Sequence, residues 1–119
     1  MNIKDIKFKA KRLDNGEWVK GDLVHSTSYV GISYPSDEFS DVPIVHRVDP
    51  STVCMFTGLK DKNGTPIYEG DIIIYKDNNA ERRGTINWDS KTTSFCFGQD
   101  FLVHYPSENM IVVGNKFDK

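Results

Sequence analysis

Charged side chains and turn-forming residues are interleaved between Thr57 and Ile72, where the sequence reads Thr-Gly-Leu-Lys-Asp-Lys-Asn-Gly-Thr-Pro-Ile-Tyr-Glu-Gly-Asp-Ile. Asparagine, glycine and proline have standard roles in turns, because they tolerate positive φ or fix φ near −65°. One interpretation of this segment is therefore a structural turn. The other is a binding loop that displays four charged side chains to a partner: Lys60, Asp61, Lys62 and Glu69.

A second group of candidate binding residues lies on the following predicted hairpin. Its cationic side chains could contact phosphates, and an exposed tyrosine could stack on a nucleic-acid base. The members of this group are Tyr75, Lys76, Arg82 and Arg83. However, the net charge is −2 and the pI is near 5.9, whereas domains that depend on phosphate contacts are often strongly basic. The charge balance therefore favours a protein partner, or simply a solvated hairpin tip, over nucleic acid.

No residue spacing in the chain is typical of a catalytic or metal centre. His25, His46 and His104 lie far apart, whereas structural zinc ligands usually come in pairs that are close in sequence. The sequence also has no nucleophile elbow and no phosphate-binding loop. We therefore expect a non-enzymatic protein without a metal or another cofactor.

Short runs of β-forming residues alternate with turn signals along the chain. Asn15-Gly16 and Asn63-Gly64 are dipeptides typical of hairpin turns. In residues 6–10, lysines alternate with apolar residues, as in a half-buried strand, and residues 101–105 are another candidate strand. Helical periodicity is weak. The length of 119 residues suits a single compact, mainly β domain with little helix, with possible sub-units at residues 1–50 and 51–119.

Apolar runs and stripes predict which side chains form the core. Cys54 and Cys96 lie within such runs, so we expect two buried, reduced thiols, with a disulfide as the alternative. The start of the chain is polar and the longest apolar run spans only residues 72–75, which predicts a cytoplasmic protein without a membrane span. The predicted core side chains are Phe8, Ile72, Ile74, Ile86, Trp88 and Val112.

The segment 57–72 closely resembles the signature of the YopX family of bacteriophages and prophages, T-G-L-K-D-K-N-G-x-x-I-Y-E-G-D-I, in which only the two x positions vary freely. Shorter stretches resemble other family motifs in the same order, at residues 6–10, 21–23, 48–53 and 112–115. The chain departs from the family pattern at Lys9, at Cys54-Met55-Phe56 and after Asn115, where the usual longer tail is missing.

The resemblance implies an SH3-like small barrel in the C-terminal half, an additional N-terminal β unit, and a phage-encoded protein in the cytoplasm of a bacterial host. Fold alone does not imply function. Our leading hypothesis is a small interaction module that binds a host or phage protein. The alternative is a small nucleic-acid-binding β-barrel, and self-association stays open in either case.

Overall fold

The computed structural model describes residues 2–37, 39 and 41–118, and these residues are mainly β. All strand pairs among them are antiparallel. The described strands are β1 Phe8–Lys11, β2 Trp18–His25, β3 Val30–Pro35, β4 Pro43–Arg47, β5 Cys54–Lys60, β6 Pro66–Tyr68, β7 Asp71–Lys76, β8 Glu81–Asp89, β9 Ser94–Phe97, β10 Asp100–Phe101 and β11 Met110–Asn115. The helical elements in this part of the chain are short 3₁₀ turns, at Ile3–Asp5, Pro50–Thr52, Leu102–His104 and Ser107–Asn109. The predicted mainly β fold with little helix is confirmed.

The chain divides into two compact units, Met1–Met55 and Phe56–Lys119. The division lies within β5, a few residues after the sub-unit boundary expected at residue 50. In the first unit the strand order is β4-β3-β2-β1, and the first residues of β5 pair with β1. The core of this unit consists of Ala10, Ile32 and Val48, with partly buried residues such as Phe8 around it.

In the second unit the strand order is β10-β9-β8-β7-β11, and the end of β5 pairs with β6. Among the described strands neither sheet closes on itself, so the SH3-like barrel is not confirmed. The core cluster combines aliphatic and methionine side chains, from the strands and from the 3₁₀ turn at Leu102–His104, with two aromatic ones. Its buried members are Ile67, Ile73, Tyr75, Ile86, Phe97, Leu102 and Met110.

Strand β7 turns a different face to the core than the sequence predicts. Ile73 and Tyr75 are buried, while Ile72 and Ile74 are only partly buried. Successive side chains of a strand point to opposite faces, and three consecutive isoleucines leave both phases open. The buried face is therefore the one that also carries Tyr75.

Of the other predicted core residues, Ile86 is fully buried, whereas Phe8 and Val112 are partly buried. Trp88 was expected in the core together with Ile86, but it is 45% exposed. Trp88 lies near the end of β8, beyond residues 81–85 that pair with β7, and it is not among the side chains of the core cluster. The prediction for Trp88 is therefore wrong. Cys54 and Cys96 are buried thiols rather than a disulfide, as expected.

The turn at Asn63-Gly64 joins β5 to β6. Gly64 N donates to Asp61 O at 3.0 Å, and Asp61 N donates to Thr65 O at 2.9 Å. Gly64 has the expected positive φ of +80°, but Asn63 does not share it. The hairpin therefore has a longer loop with one left-handed glycine, rather than the two-residue primed turn that Asn-Gly most often indicates.

Replacing Ile86 with alanine should lower the free energy of unfolding by about 2–5 kcal/mol, because it removes a fully buried side chain and leaves a cavity. Urea denaturation measures this loss. Ile111, which is 38% exposed, is the matched control, and Ile111→Ala should cost about 1 kcal/mol. Equal losses in the two variants would contradict this assignment of the core.

Replacing Gly64 with valine should destabilise the fold by about 1–3 kcal/mol, because a β-branched residue is strained at positive φ. No atom lies within 4 Å of an added Cβ, so the loss would report backbone strain alone. Gly64→Asn is the control, since asparagine tolerates the left-handed region. Thermal unfolding should show a larger loss of stability for Gly64→Val than for Gly64→Asn. The reverse order would exclude a strained backbone as the cause.

Candidate functional site

Asp61 is the centre of the turn that follows β5. Its Oδ1 accepts hydrogen bonds from the backbone N–H groups of Asn63 at 2.8 Å and Thr65 at 2.9 Å. Its Oδ2 accepts from the N–H of Val112 at 2.9 Å, and the residue is 7% exposed. A carboxylate that accepts three backbone hydrogen bonds is a structural group. The prediction that Asp61 is displayed to a partner is therefore wrong.

The same turn covers the outer edge of β11, the last strand in its sheet. Val112 N–H points to Asp61, and Met110 C=O accepts from Lys62 N at 2.9 Å. Exposed backbone groups on an edge strand invite pairing with another chain. The turn at residues 61–65 occupies two of these groups and so protects the edge.

Gly70 and Asp71 form a second internal junction. Asp71 is buried, and its Oδ2 accepts from Tyr68 N at 2.8 Å, as expected for a bend at this point. Its Oδ1 accepts from Asn115 Nδ2 at 2.9 Å, while Lys116 N donates to Gly70 O at 2.9 Å. The signature segment 57–72 and the closing segment 112–115 therefore hold each other in place.

The remaining charged residues of the first candidate group are more accessible. Lys60 and Lys62 are exposed, and Glu69 is partly buried. The structure brings Lys62 together with Lys76 from the second group, because both line a cavity of about 190 Å³. We call it the lysine cavity, and its other lining residues are Ile74, Glu108, Asn109 and Ile111.

The second candidate group is divided between the core and the surface. Tyr75 is 7% exposed, and its ring packs against Phe97 at 6.4 Å and Tyr105 at 5.1 Å between ring centroids. It is not available as a stacking platform, so the prediction of an exposed Tyr75 is wrong. Arg83 is exposed on β8.

Arg82 belongs to a cluster of hydrogen bonds on the surface. Its guanidinium donates to Asp100 Oδ2 at 2.6 Å and also to the hydroxyl of Tyr105, which itself donates to Asp100 Oδ2 at 2.7 Å. The bond from Tyr105, followed by that from Arg82, holds the pKa of Asp100 below its ordinary value. The hydrogen bond between Tyr105 and Asp100 also raises the pKa of Tyr105. The guanidinium also lies over the ring of Phe97, 5.5 Å from its centroid.

Tyr105 is also part of a larger cavity, of about 690 Å³, which we call the apolar groove. The expected strand at residues 101–105 is absent, because β10 ends at Phe101 and the 3₁₀ turn Leu102–His104 follows. This turn forms one wall of the groove. None of the lining residues carries a charged side chain: Thr57, Leu59, Trp88, Thr93, Ser94, Phe95, Phe101, Leu102, Val103, Tyr105, Pro106 and Ser107.

Several apolar side chains of the groove are exposed to solvent. Val103 is 85% exposed, Trp88 is 45% exposed and Phe101 is 39% exposed. Trp88 packs edge-on against Phe95, with ring centroids 5.1 Å apart, and the two are cross-strand neighbours in β8 and β9. Sequence reasoning missed this site because it placed Trp88 in the core.

Neither a metal centre nor a membrane helix is found in the part of the chain that the structure describes. No three side chains of His, Cys, Asp or Glu there are grouped so that they could hold a metal ion. No helix in residues 2–37, 39 and 41–118 has the length and apolar character needed to cross a membrane.

Replacing Asp61 with asparagine should destabilise the protein by about 2–3 kcal/mol, because the amide cannot accept on both sides and leaves a backbone N–H without its acceptor. Hydrogen exchange at the Val112 amide should accelerate more than at other β11 amides. Lys60→Ala, a change at a neighbouring exposed residue, is the control and should stay within about 0.5 kcal/mol. Unchanged exchange at Val112 would show that the Asp61 contact does not protect the strand.

The chain matches a known protein family over nearly its whole length. No curated protein is similar enough to the chain to count as a match. The family model described as YopX protein matches residues 7–119, a span that includes the turn centred on Asp61, the junction at Asp71 and the apolar groove. The chain therefore belongs to the YopX protein family.

Proposed function

We propose that this protein is a non-enzymatic interaction module that binds a host or phage protein through the apolar groove. The observation that carries the proposal is a cavity of about 690 Å³ whose lining has no charged side chain and several exposed aromatic or aliphatic ones. Its origin in a phage or prophage and its location in the bacterial cytoplasm are parts of the proposal that come from the family.

The composition of the groove favours an apolar segment of a protein as its ligand. Large exposed apolar patches commonly mark interaction sites, and aromatic side chains such as Trp88 contribute strongly to binding when a partner covers them. The hydroxyl groups of Thr93 and Ser94 each donate to Thr92 O, and their oxygens keep acceptor capacity that suits the backbone N–H groups of a bound peptide.

Nucleic-acid binding, the alternative function, has less support. A single-strand binding surface combines cationic side chains with exposed aromatic rings. Here Tyr75 is buried, Arg82 is engaged by Asp100, and the exposed rings of Trp88 and Phe101 line a groove without cations. Nucleic-acid binding is therefore one of the outcomes that would contradict the proposal in the test below.

The Trp88→Ala variant tests the proposed groove. A partner is captured from host cells with the tagged protein and purified, and its affinity is then measured by calorimetry. Loss of a central aromatic side chain should weaken binding by about thirtyfold, the effect of losing about 2 kcal/mol. Val113→Ala is the matched control, since Val113 is 47% exposed in the same unit but does not line the groove, and its effect should stay within about twofold.

Two outcomes would contradict the proposal. In the first, Trp88→Ala unfolds at the same temperature as the parent protein and binds the purified partner equally well, so the groove is not the binding surface. In the second, the captured ligand is released by nuclease and its binding weakens steeply with salt, so the protein binds nucleic acid.

A further inference from the structure

The turn between β8 and β9 contributes two hydroxyl groups to the wall of the apolar groove, at Thr93 and Ser94. Both hydroxyls already use their hydrogens within the turn. Thr93 Oγ1 donates to Thr92 O at 2.7 Å, and Ser94 Oγ donates to the same oxygen at 3.0 Å. A hydroxyl oxygen whose hydrogen is committed in this way still accepts hydrogen bonds through its lone pairs. This wall therefore offers acceptors to a ligand.

Two further hydroxyls of the groove, at Thr57 and Tyr105, are occupied as donors and as acceptors. Thr57 Oγ1 donates to Ile67 O at 2.8 Å and accepts from Leu59 N at 3.2 Å. The Tyr105 hydroxyl donates to Asp100 and accepts from the guanidinium described above. The acceptor capacity that remains for a ligand is therefore greatest at the turn between β8 and β9.

Thr93 also has a backbone conformation that its residue type disfavours. With a φ of +50° it is the one non-glycine residue at positive φ in the part of the chain that the structure describes. Glycine or asparagine usually occupies such a position, and a β-branched residue is strained there. Strained residues are concentrated at binding sites. Glycine would relieve the strain but would remove a hydroxyl from the groove, which gives threonine a reason other than stability.

We propose that Thr93 and Ser94 determine the specificity of the apolar groove by accepting hydrogen bonds from the backbone N–H groups of an extended, apolar peptide segment. The inference rests on the proposed function and names the chemistry of its ligand. The indole N–H of Trp88 and the hydroxyl of Ser107 are side-chain donors in the same lining, and they suit the carbonyl groups of that segment. Proline residues and carboxylates have no hydrogen to donate to this wall.

The test uses a peptide of about eight residues, selected from a random library for binding to the full chain. Binding in the groove is established on the ¹⁵N-labelled chain by a shift of the Trp88 indole N–H, which is identified by its loss in Trp88→Phe. Each backbone N–H of the peptide is then N-methylated in turn, which removes one donor at a time. Calorimetry measures the affinity of every peptide for the parent chain and for the Thr93→Val/Ser94→Ala variant.

At one or two peptide positions, N-methylation should weaken binding to the parent chain by about tenfold. The same change should cost only about twofold in Thr93→Val/Ser94→Ala, and the resulting coupling of about fivefold is the size expected for one neutral hydrogen bond. Thr93→Ser, which keeps the hydroxyl, should retain the coupling. Ser90→Ala is the control and should retain it as well, because Ser90 is exposed in the same turn but does not line the groove.

Thr93→Gly supplies a second measurement, in which stability and affinity should change in opposite directions. Relief of the positive φ should raise the unfolding temperature by about 4 °C. Loss of the hydroxyl should weaken binding of the selected peptide by about fivefold. A stabilised variant that binds as tightly as the parent chain would overturn the role of Thr93, and so would a variant that is less stable than the parent chain.

The possible failures are distinguishable. If N-methylation costs the same in the parent chain and in Thr93→Val/Ser94→Ala at every position, the inference is overturned while the groove remains a binding site. Selected peptides that shift Trp88 but are rich in proline overturn it in the same way. If no peptide from the library shifts Trp88, the proposed groove function fails as well, and displacement of the peptide by an oligothymidylate overturns both in favour of nucleic acid.

Discussion

The second unit depends on the carboxylate of Asp61, which accepts three backbone hydrogen bonds from two separate parts of the chain. Two of these bonds shape the turn after β5, and the third fixes that turn against β11. Without the carboxylate, three partly buried backbone hydrogen bonds would lose their acceptor, and leaving a partly buried N–H group unsatisfied costs more than the net gain from an ordinary hydrogen bond. The turn and the edge strand therefore form as one structure.

The same contact restricts where the proposed partner can bind. The edge of β11 is covered by the turn at residues 61–65, so Met110 and Val112 do not offer a free edge there for strand addition. On the other side of the unit, β10 is only two residues long, and the chain leaves the sheet in a 3₁₀ turn. The 3₁₀ turn that follows contributes Leu102 and Val103 to the lining of the apolar groove, together with Trp88 and Phe95.

Local residue types predicted much of the fold, and long-range contacts decided the rest. The positive φ of Gly64, the hydrogen bond to Asp71 in its bend and the short 3₁₀ turns follow from turn chemistry within a few residues. The burial of Asp61 could not be predicted in this way, because Val112 is 51 residues away in sequence. Similarly, three consecutive isoleucines do not show which face of the strand is buried, and the exposure of Trp88 depends on where β7 begins, because this sets how far along β8 the two strands pair.

Arg82 shows that long-range contacts also decide which side chains are available for binding. As an arginine on a hairpin it was a reasonable contact for phosphate, but the folded chain places Asp100 and Tyr105 against its guanidinium. The cluster holds Tyr105 in the lining of the apolar groove, so Arg82 shapes that groove without lying in it. Asp61 and Arg82 are therefore both engaged by other groups of the fold. Among the charged residues first considered for binding, Lys62 and Lys76 differ, because they line one cavity and take part in none of the ion pairs found among the described residues, although Glu108 lines the same cavity.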